Sequence, residues 1–277
     1  KRYYTVDNSI YENRKSAGNV IDKEAGILSR GNLTRLKNFL NRAAQGERLT
    51  VGFIGGSITQ GFAATEPDKC YAARTVAWLR KVFPNTEFDY VNAGIGATNS
   101  QFGAARVQED LLCRLPDLVM VEFSVNDHCT PHDMETYEGL IRQIYGSRSC
   151  PAMVLLHSVY YDTGKSAAYY HAQVGRHYDL PCISMQNSIY PAVAAGRLPA
   201  EKITADFLHP NDLGHEFMAS VITNFLEKVI HDKTQEQQEI FPAPLTENAY
   251  EHCVRLQYFN STPEKSGFEE DLSLIHI

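Results

Sequence analysis

The sequence predicts an α/β protein: a three-layer, doubly wound parallel sheet, an expectation that rests on three observations. Strand-like and helix-like segments alternate from about residue 33 to residue 230, the pattern of parallel strands joined by crossover helices. The strand segments are continuous apolar runs, as expected when helices cover both sheet faces. Turn residues and polar groups (Gly55-Gly56-Ser57, Gly94-Ile95-Gly96, Ser124-Val125-Asn126-Asp127) follow the first three strands. In such sheets ligands bind beyond the carboxyl ends of the strands.

In chain order, residues 1–30 are polar and Tyr-rich without a clear period, and read as an irregular leader. A helix is expected over Leu33–Ala44, with Leu33, Leu36, Phe39 and Leu40 on one face and Gly46 as its stop. Strands are expected at Leu49–Ile54, Phe88–Ala93, Leu118–Phe123, Met153–Val159 and Cys182–Met185. Helices are expected near Ala72–Val82, Gln101–Leu112, Met134–Tyr145, Ser166–Tyr178 and Leu213–Ile230. The last is marked by Leu213, Phe217, Val221, Phe225 and Val229. This gives a hydrolase-sized domain over 31–232, then a polar linker at 233–244 ending in Phe241-Pro242-Ala243-Pro244. Residues 245–271 read as the start of a truncated, β-rich C-terminal domain. Residues 272–277 (Leu-Ser-Leu-Ile-His-Ile) look like a translated sequencing adapter, so the natural protein is expected to continue past about Asp271.

The 277 residues allow one sizeable core. A net charge of −7 argues against a nucleic-acid surface, and no apolar run reaches membrane-spanning length. Six cysteines lack Cys-x-x-Cys spacing, and most of them, beside apolar residues, read as small core residues in a reducing, cytoplasmic setting. No cofactor is expected, and the sequence is silent on oligomeric state.

Three residue types carry the chemistry. A serine hydroxyl is a poor nucleophile unless a histidine base, itself oriented by a carboxylate, takes its proton. Ser57 follows the first strand, and Asp206 and His209 lie three residues apart before the last helix. Ser57 is therefore the expected nucleophile, His209 the base and Asp206 its orienting acid. The Ser57 N–H, a glycine N–H after the second strand and the Asn126 amide are expected to receive the oxyanion. The Gly-x-Ser-x-Gly pattern of α/β-hydrolases fails, because Thr59 stands where glycine is required.

These segments resemble, over roughly residues 49–230, the SGNH (GDSL-type) hydrolases, whose Ser, Gly, Asn and His lie in four separate blocks. The resemblance implies a flavodoxin-like three-layer sheet and the roles just given. It favours Gly96 as the second backbone donor through the following Ala97-Thr98, with Gly94 as the alternative. Two departures stand out: Gly56 replaces the usual Asp before the serine, and Ser124 replaces the usual Gly before Val125-Asn126-Asp127. The Gly-Gly-Ser-Ile-Thr block is similar to a subgroup that includes acetyl esterases of plant polysaccharides, some with a C-terminal carbohydrate-binding domain.

The expected function is therefore a serine esterase removing acetyl groups from a polysaccharide or oligosaccharide, with that ester as its partner. Alternatives are a lysophospholipase-like esterase or acyltransferase, and a non-catalytic carbohydrate-binding protein. His128, Tyr160 and Tyr161, at the same strand edge, are expected to contact substrate. The His128, Cys129, His132 and Asp133 loop lacks structural-zinc spacing, so no metal is assigned. His215 is expected to pack or cap within the final helix.

Overall fold

The computed structural model describes residues 20–257 and 261–262. Its strands are β1 (Ile27–Ser29), β2 (Leu49–Gly55), β3 (Phe88–Gly94), β4 (Leu118–Glu122), β5 (Ala152–His157) and β6 (Cys182–Ser184). The α-helices are α1 (Thr34–Ala44), α2 (Ser57–Gln60), α3 (Tyr71–Val82), α4 (Ser100–Asp110), α5 (Pro131–Tyr145), α6 (Ala168–His177), α7 (Met185–Ser188), α8 (Tyr190–Ala194) and α9 (Asp212–His231). They form one sheet in the order β1-β6-β5-β4-β2-β3. All neighbouring pairs are parallel except β1 with β6.

From β2 onward the order is the doubly wound one, with β2 between β3 and β4. The winding reverses at β2, and a crevice opens at its carboxyl end. Alternate strand residues face opposite layers. Val51, Phe53, Leu118 and Met120 join the core under α1, α3 and α9. Ile54, Val119 and Val121 join the core under α4, α5 and α6. Both faces are covered, which accounts for the unbroken apolar strand sequences.

The structure departs from the sequence reading at identifiable points. Within the stretch read as an irregular leader, Ile27–Ser29 pairs with Ile183 and Cys182 and covers the edge of β6; three residues carry no period. Helix α5 begins earlier than expected because Pro131 occupies its first turn and Thr130 and Asp133 form a capping box. On α9, Leu213 is exposed. Four-residue steps drift around a helix of 3.6 residues per turn: Val221, Phe225 and Val229 of the expected face are buried, and Met218, Ile222 and Leu226 complete it. Of the six cysteines, most of them expected in the core, only Cys70 and Cys182 are buried, and all six are free thiols.

Beyond α9 the chain returns across the domain. Glu236 pairs with Arg30 and Lys37, Phe241 stacks on Tyr145 at 4.7 Å, and Arg142 pairs with Glu251 at 2.7 Å. Residues 245–257 form turns and no strand. Residues 1–19, 258–260 and 263–277 lie outside the described residues, and with them much of the expected leader, part of the expected start of a β-rich domain and the adapter-like tail. Among the described residues no helix is long and apolar enough to cross a membrane.

Candidate active site

Ser57 opens α2 at the end of β2, with Gly56 as its N-cap residue. The two glycines before it serve close approach rather than a left-handed turn: neither has a positive φ. A Cβ on Gly55 would fall 2.1 Å from Thr59 Oγ1 and 2.4 Å from the Glu122 carbonyl oxygen. A Cβ on Gly56 would fall 2.2 Å from Asn126 Oδ1. Glycine in place of the family's Asp therefore lets the Asn126 amide lie directly against the serine turn. The Gly55 carbonyl accepts from Ile95 N–H at 3.0 Å and from the buried Arg106 guanidinium at 3.1 Å, which fixes the turn from below.

Ser57 Oγ lies 2.8 Å from His209 Nε2. On the other side of the ring, His209 Nδ1 is 2.6 Å from Asp206 Oδ2. An ionised carboxylate only accepts, so this contact places the proton on Nδ1 and leaves Nε2 free to take the serine proton. Asp206 Oδ1 also accepts from the backbone N–H groups of Leu208 at 3.0 Å and His209 at 2.8 Å. This turn carries Phe207 at φ 63°. A bridge between Thr204 and Pro210 closes the loop at its base. Partial burial opposes the charge on Asp206, but the hydrogen bonds from His209 and Leu208 outweigh it and hold the carboxyl well below its usual range.

His215 is engaged elsewhere. Its Nδ1 accepts from Tyr71 N–H at 3.3 Å, its Nε2 faces the Phe62 carbonyl at 3.4 Å, and burial pushes its pKa down to about 4.

The two candidate backbone donors now separate. Gly94 N–H already donates to Asn92 Oδ1 at 2.9 Å, and a Cβ there would meet Gln60 N at 2.2 Å. Among the described residues Gly96 N–H has no hydrogen-bond partner, and its Cβ position lies 3.8 Å from Ser57 Cβ. Asn126 Oδ1 is buried without a partner against Gly56, leaving Nδ2 as the end that serves the adjoining groove. That groove, of about 550 Å³, is lined by Ala97, Thr98, Asn99, Phe102, Asn126 and His128. The other departure is accommodated as well. The Ser124 hydroxyl lies 2.8 Å from Glu122 Oε1 and 3.1 Å from the Ser158 carbonyl oxygen, either of which can accept its proton, so the serine sits satisfied where the resemblance leads one to expect glycine.

Of the expected substrate contacts, His128 is exposed on the groove. Tyr160 is half-buried against the core. Tyr161 is 4% exposed and belongs to the core, so its ring is not offered to a substrate. Its backbone N–H instead donates to the Phe207 carbonyl at 2.7 Å, supporting the Asp206–His209 turn. His132 contacts Gln101, and Asp133 caps α5.

Sequence reasoning missed Phe62. Its ring lies 4.5 Å from that of His209 and is 56% exposed, a fixed apolar wall beside the imidazole. Its N–H donates to the Ser57 carbonyl at 3.0 Å, so its place follows from the serine turn. The Gly61 that precedes it, at φ 95°, was the available signal.

Residues 53–217 match the GDSL-like lipase/acylhydrolase family. Among solved structures, a two-domain esterase active on acetylated mannans is 52% identical, with a TM-score of 0.84 over 86% of this chain and 64% of that one. The same esterase co-crystallised with mannopentaose gives a TM-score of 0.82 and 63% coverage of its chain. The present chain thus spans a little under two thirds of that protein. An acetylxylan esterase from Geobacillus stearothermophilus is 20% identical with a TM-score of 0.52, over 64% of this chain and 94% of that one, a likeness of fold. Comparison with curated proteins gave no match.

Proposed function

Since this chain belongs to the GDSL-like lipase/acylhydrolase family, we propose that it is a serine esterase that removes acetyl groups from mannan-type polysaccharides or oligosaccharides. The observation that carries the proposal is the Ser57–His209–Asp206 chain of contacts, at 2.8 Å and 2.6 Å. The substrate class draws on the 52% identical esterase active on acetylated mannans.

In this reading Ser57 Oγ attacks the acetyl carbonyl carbon while its proton passes to His209 Nε2. The carbonyl π bond opens onto oxygen, and the resulting oxyanion is received by the N–H groups of Ser57 and Gly96 and by Asn126 Nδ2. The imidazolium, steadied by Asp206, then protonates the departing sugar oxygen as the ester C–O bond breaks. Acetyl-Ser57 remains. Water, deprotonated by His209, repeats the attack, and acetate leaves as Ser57 recovers its proton. His128, Thr98 and Asn99 on the groove offer polar contacts to a sugar, and the exposed faces of Phe62 and Phe102 offer apolar ones. Six free thiols suit the cytoplasmic setting read from the sequence.

Hydrolysis of 4-nitrophenyl esters from acetate through butyrate to octanoate, alongside acetate release from acetylated manno-oligosaccharides, tests this reading. Each added methylene gains about 0.8 kcal/mol only where a continuous apolar wall receives it, and in the groove Ala97 and Phe102 are interrupted by Thr98, Asn99, Asn126 and His128, while the Phe62 ring beside His209 is 56% exposed. kcat/KM is therefore expected to fall along the series, with ready acetate release from the oligosaccharide. A rise with chain length and no release from the sugar would replace this reading with that of a lipid esterase.

A further inference from the structure

The two side-loop donors assigned to the oxyanion come from different parts of the chain: Gly96 from the loop between β3 and α4, and Asn126 from the loop after β4. One buried carboxylate joins these loops. Asp127, next to Asn126, is 6% exposed. Its Oδ1 accepts the N–H of Ser100 at 2.9 Å, the residue that opens α4 and ends the Gly96 loop. Its Oδ2 accepts from His171 Nε2 on α6 at 2.8 Å. The His171 ring is fully buried and stacks on Tyr137 of α5, with centroids 3.6 Å apart and planes within 3°. The N–H groups of Asn126 and Asp127 both donate to the Phe123 carbonyl at 3.0 Å, so the backbone that carries Asn126 is pinned at the same place.

We propose that Asp127, held by His171, is a positioning residue for the oxyanion site, fixing the spacing between the Gly96 loop and the Asn126 amide. The inference rests on the reading of Gly96 and Asn126 given above. Oxyanion donors act only within a few tenths of an ångström of their ideal distance, and misplacement by about 1 Å costs on the order of 100-fold in rate. A hydrogen bond to a buried carboxylate is short and strongly directional. Asp127 belongs through its backbone to the Asn126 side of the gap that must be kept constant, and its carboxylate makes one such bond across it to Ser100 on the Gly96 side. His171 orients it from a ring that the Tyr137 stack does not allow to turn. Asp127 reaches neither the groove lining nor Ser57; its effect passes through the two loops.

The test compares Asp127→Ala, His171→Asn and Ser100→Pro, with Ser100→Ala as control and Asn126→Ala as reference, by kcat and KM on 4-nitrophenyl acetate and by thermal unfolding. Ser100→Pro removes the N–H that Asp127 accepts. Proline is accepted at the first helical position, and Asn99 before it has the extended backbone that proline demands, at φ −105° and ψ −179°. Ser100→Ala keeps the N–H and loses only the hydroxyl contact with Thr136 at 2.6 Å.

Asn126→Ala is expected to lower kcat by about 10²–10³-fold. The three disconnecting variants should each lower kcat by roughly 10–100-fold with KM nearly unchanged, while Ser100→Ala stays close to wild type. Asp127→Ala added to Asn126→Ala should cost clearly less than the product of the two single losses, because both act in part through the Asn126 donor. Multiplying effects, or wild-type kcat in the disconnecting variants, would overturn the inference. So would loss of a cooperative unfolding transition in all three, which would make the role one of folding. An Asn126→Ala enzyme with wild-type kcat would overturn instead the oxyanion reading on which the inference depends.

Discussion

Replacing Ser57 with alanine is expected to lower kcat by about 10⁴-fold or more while leaving the thermal unfolding transition in place. The size follows from the geometry. Ser57 Oγ is the only hydroxyl given a contact with His209 Nε2 among the described residues, at 2.8 Å. Without it His209 has no covalent partner to activate, and only direct attack by water, helped by the oxyanion donors, remains. The fold is expected to survive. Ser57 is 8% exposed, at the rim rather than in the core, and the helix start depends on the carbonyl of Gly56, which accepts from Gln60 N–H at 3.0 Å. Steady-state hydrolysis of 4-nitrophenyl acetate checks the prediction, and more than a tenth of wild-type kcat would remove Ser57 from the role.

Asp206→Asn is expected to lower kcat by roughly 10³–10⁴-fold, with a much smaller change in KM. The carboxylate accepts at both oxygens: Oδ2 from His209 Nδ1 at 2.6 Å and Oδ1 from the Leu208 and His209 backbone. An amide has one acceptor oxygen. Whichever way it turns, it either loses the backbone bonds or presents an NH₂ to Nδ1. In the second case the ring takes the other tautomer, with its proton on Nε2, where it cannot accept from Ser57. The pH dependence follows the same bonds. They stabilise the charged form of Asp206, so its folded-state pKa lies below the unfolded one. The stabilisation is complete above the ordinary aspartate range and is lost only as pH falls through the depressed value. Loss of activity in mild acid should therefore not trace to protonation of Asp206. A variant retaining wild-type kcat would show that the carboxylate orients nothing.

Much of this arrangement was legible in the sequence, and the reasons are local. The runs at Leu49–Ile54 and Leu118–Phe123 could only be strands buried on both faces, and β2 and β4 formed there. Parallel pairing then carried Ser57, Gly96 and Asn126 to one edge without further information. The Asp206 and His209 spacing was equally readable, because three residues suffice for a carboxylate to reach the ring and the backbone of the same turn. What was not legible depended on packing between distant segments. Tyr161 was grouped with the rim because it follows a strand, yet the return of the chain places it in the core. The choice between Gly94 and Gly96 depended on where the Asn92 side chain would bond, which no spacing encodes. Nothing in the residues around His171 signals that it buries itself against Asp127. The glycine pair before Ser57 reads in the sequence simply as a turn, whereas in the fold it makes room for Thr59 and Asn126.

The central claim is that the acetyl group passes through Ser57. Its most direct test is mass analysis of the Ser57-containing peptide from enzyme quenched in acid during turnover of an excess of 4-nitrophenyl acetate. The account predicts a gain of one acetyl group on that peptide, at Ser57, and its absence in Ser57→Ala. An acetyl group found on another residue instead, with turnover persisting in Ser57→Ala, would contradict it.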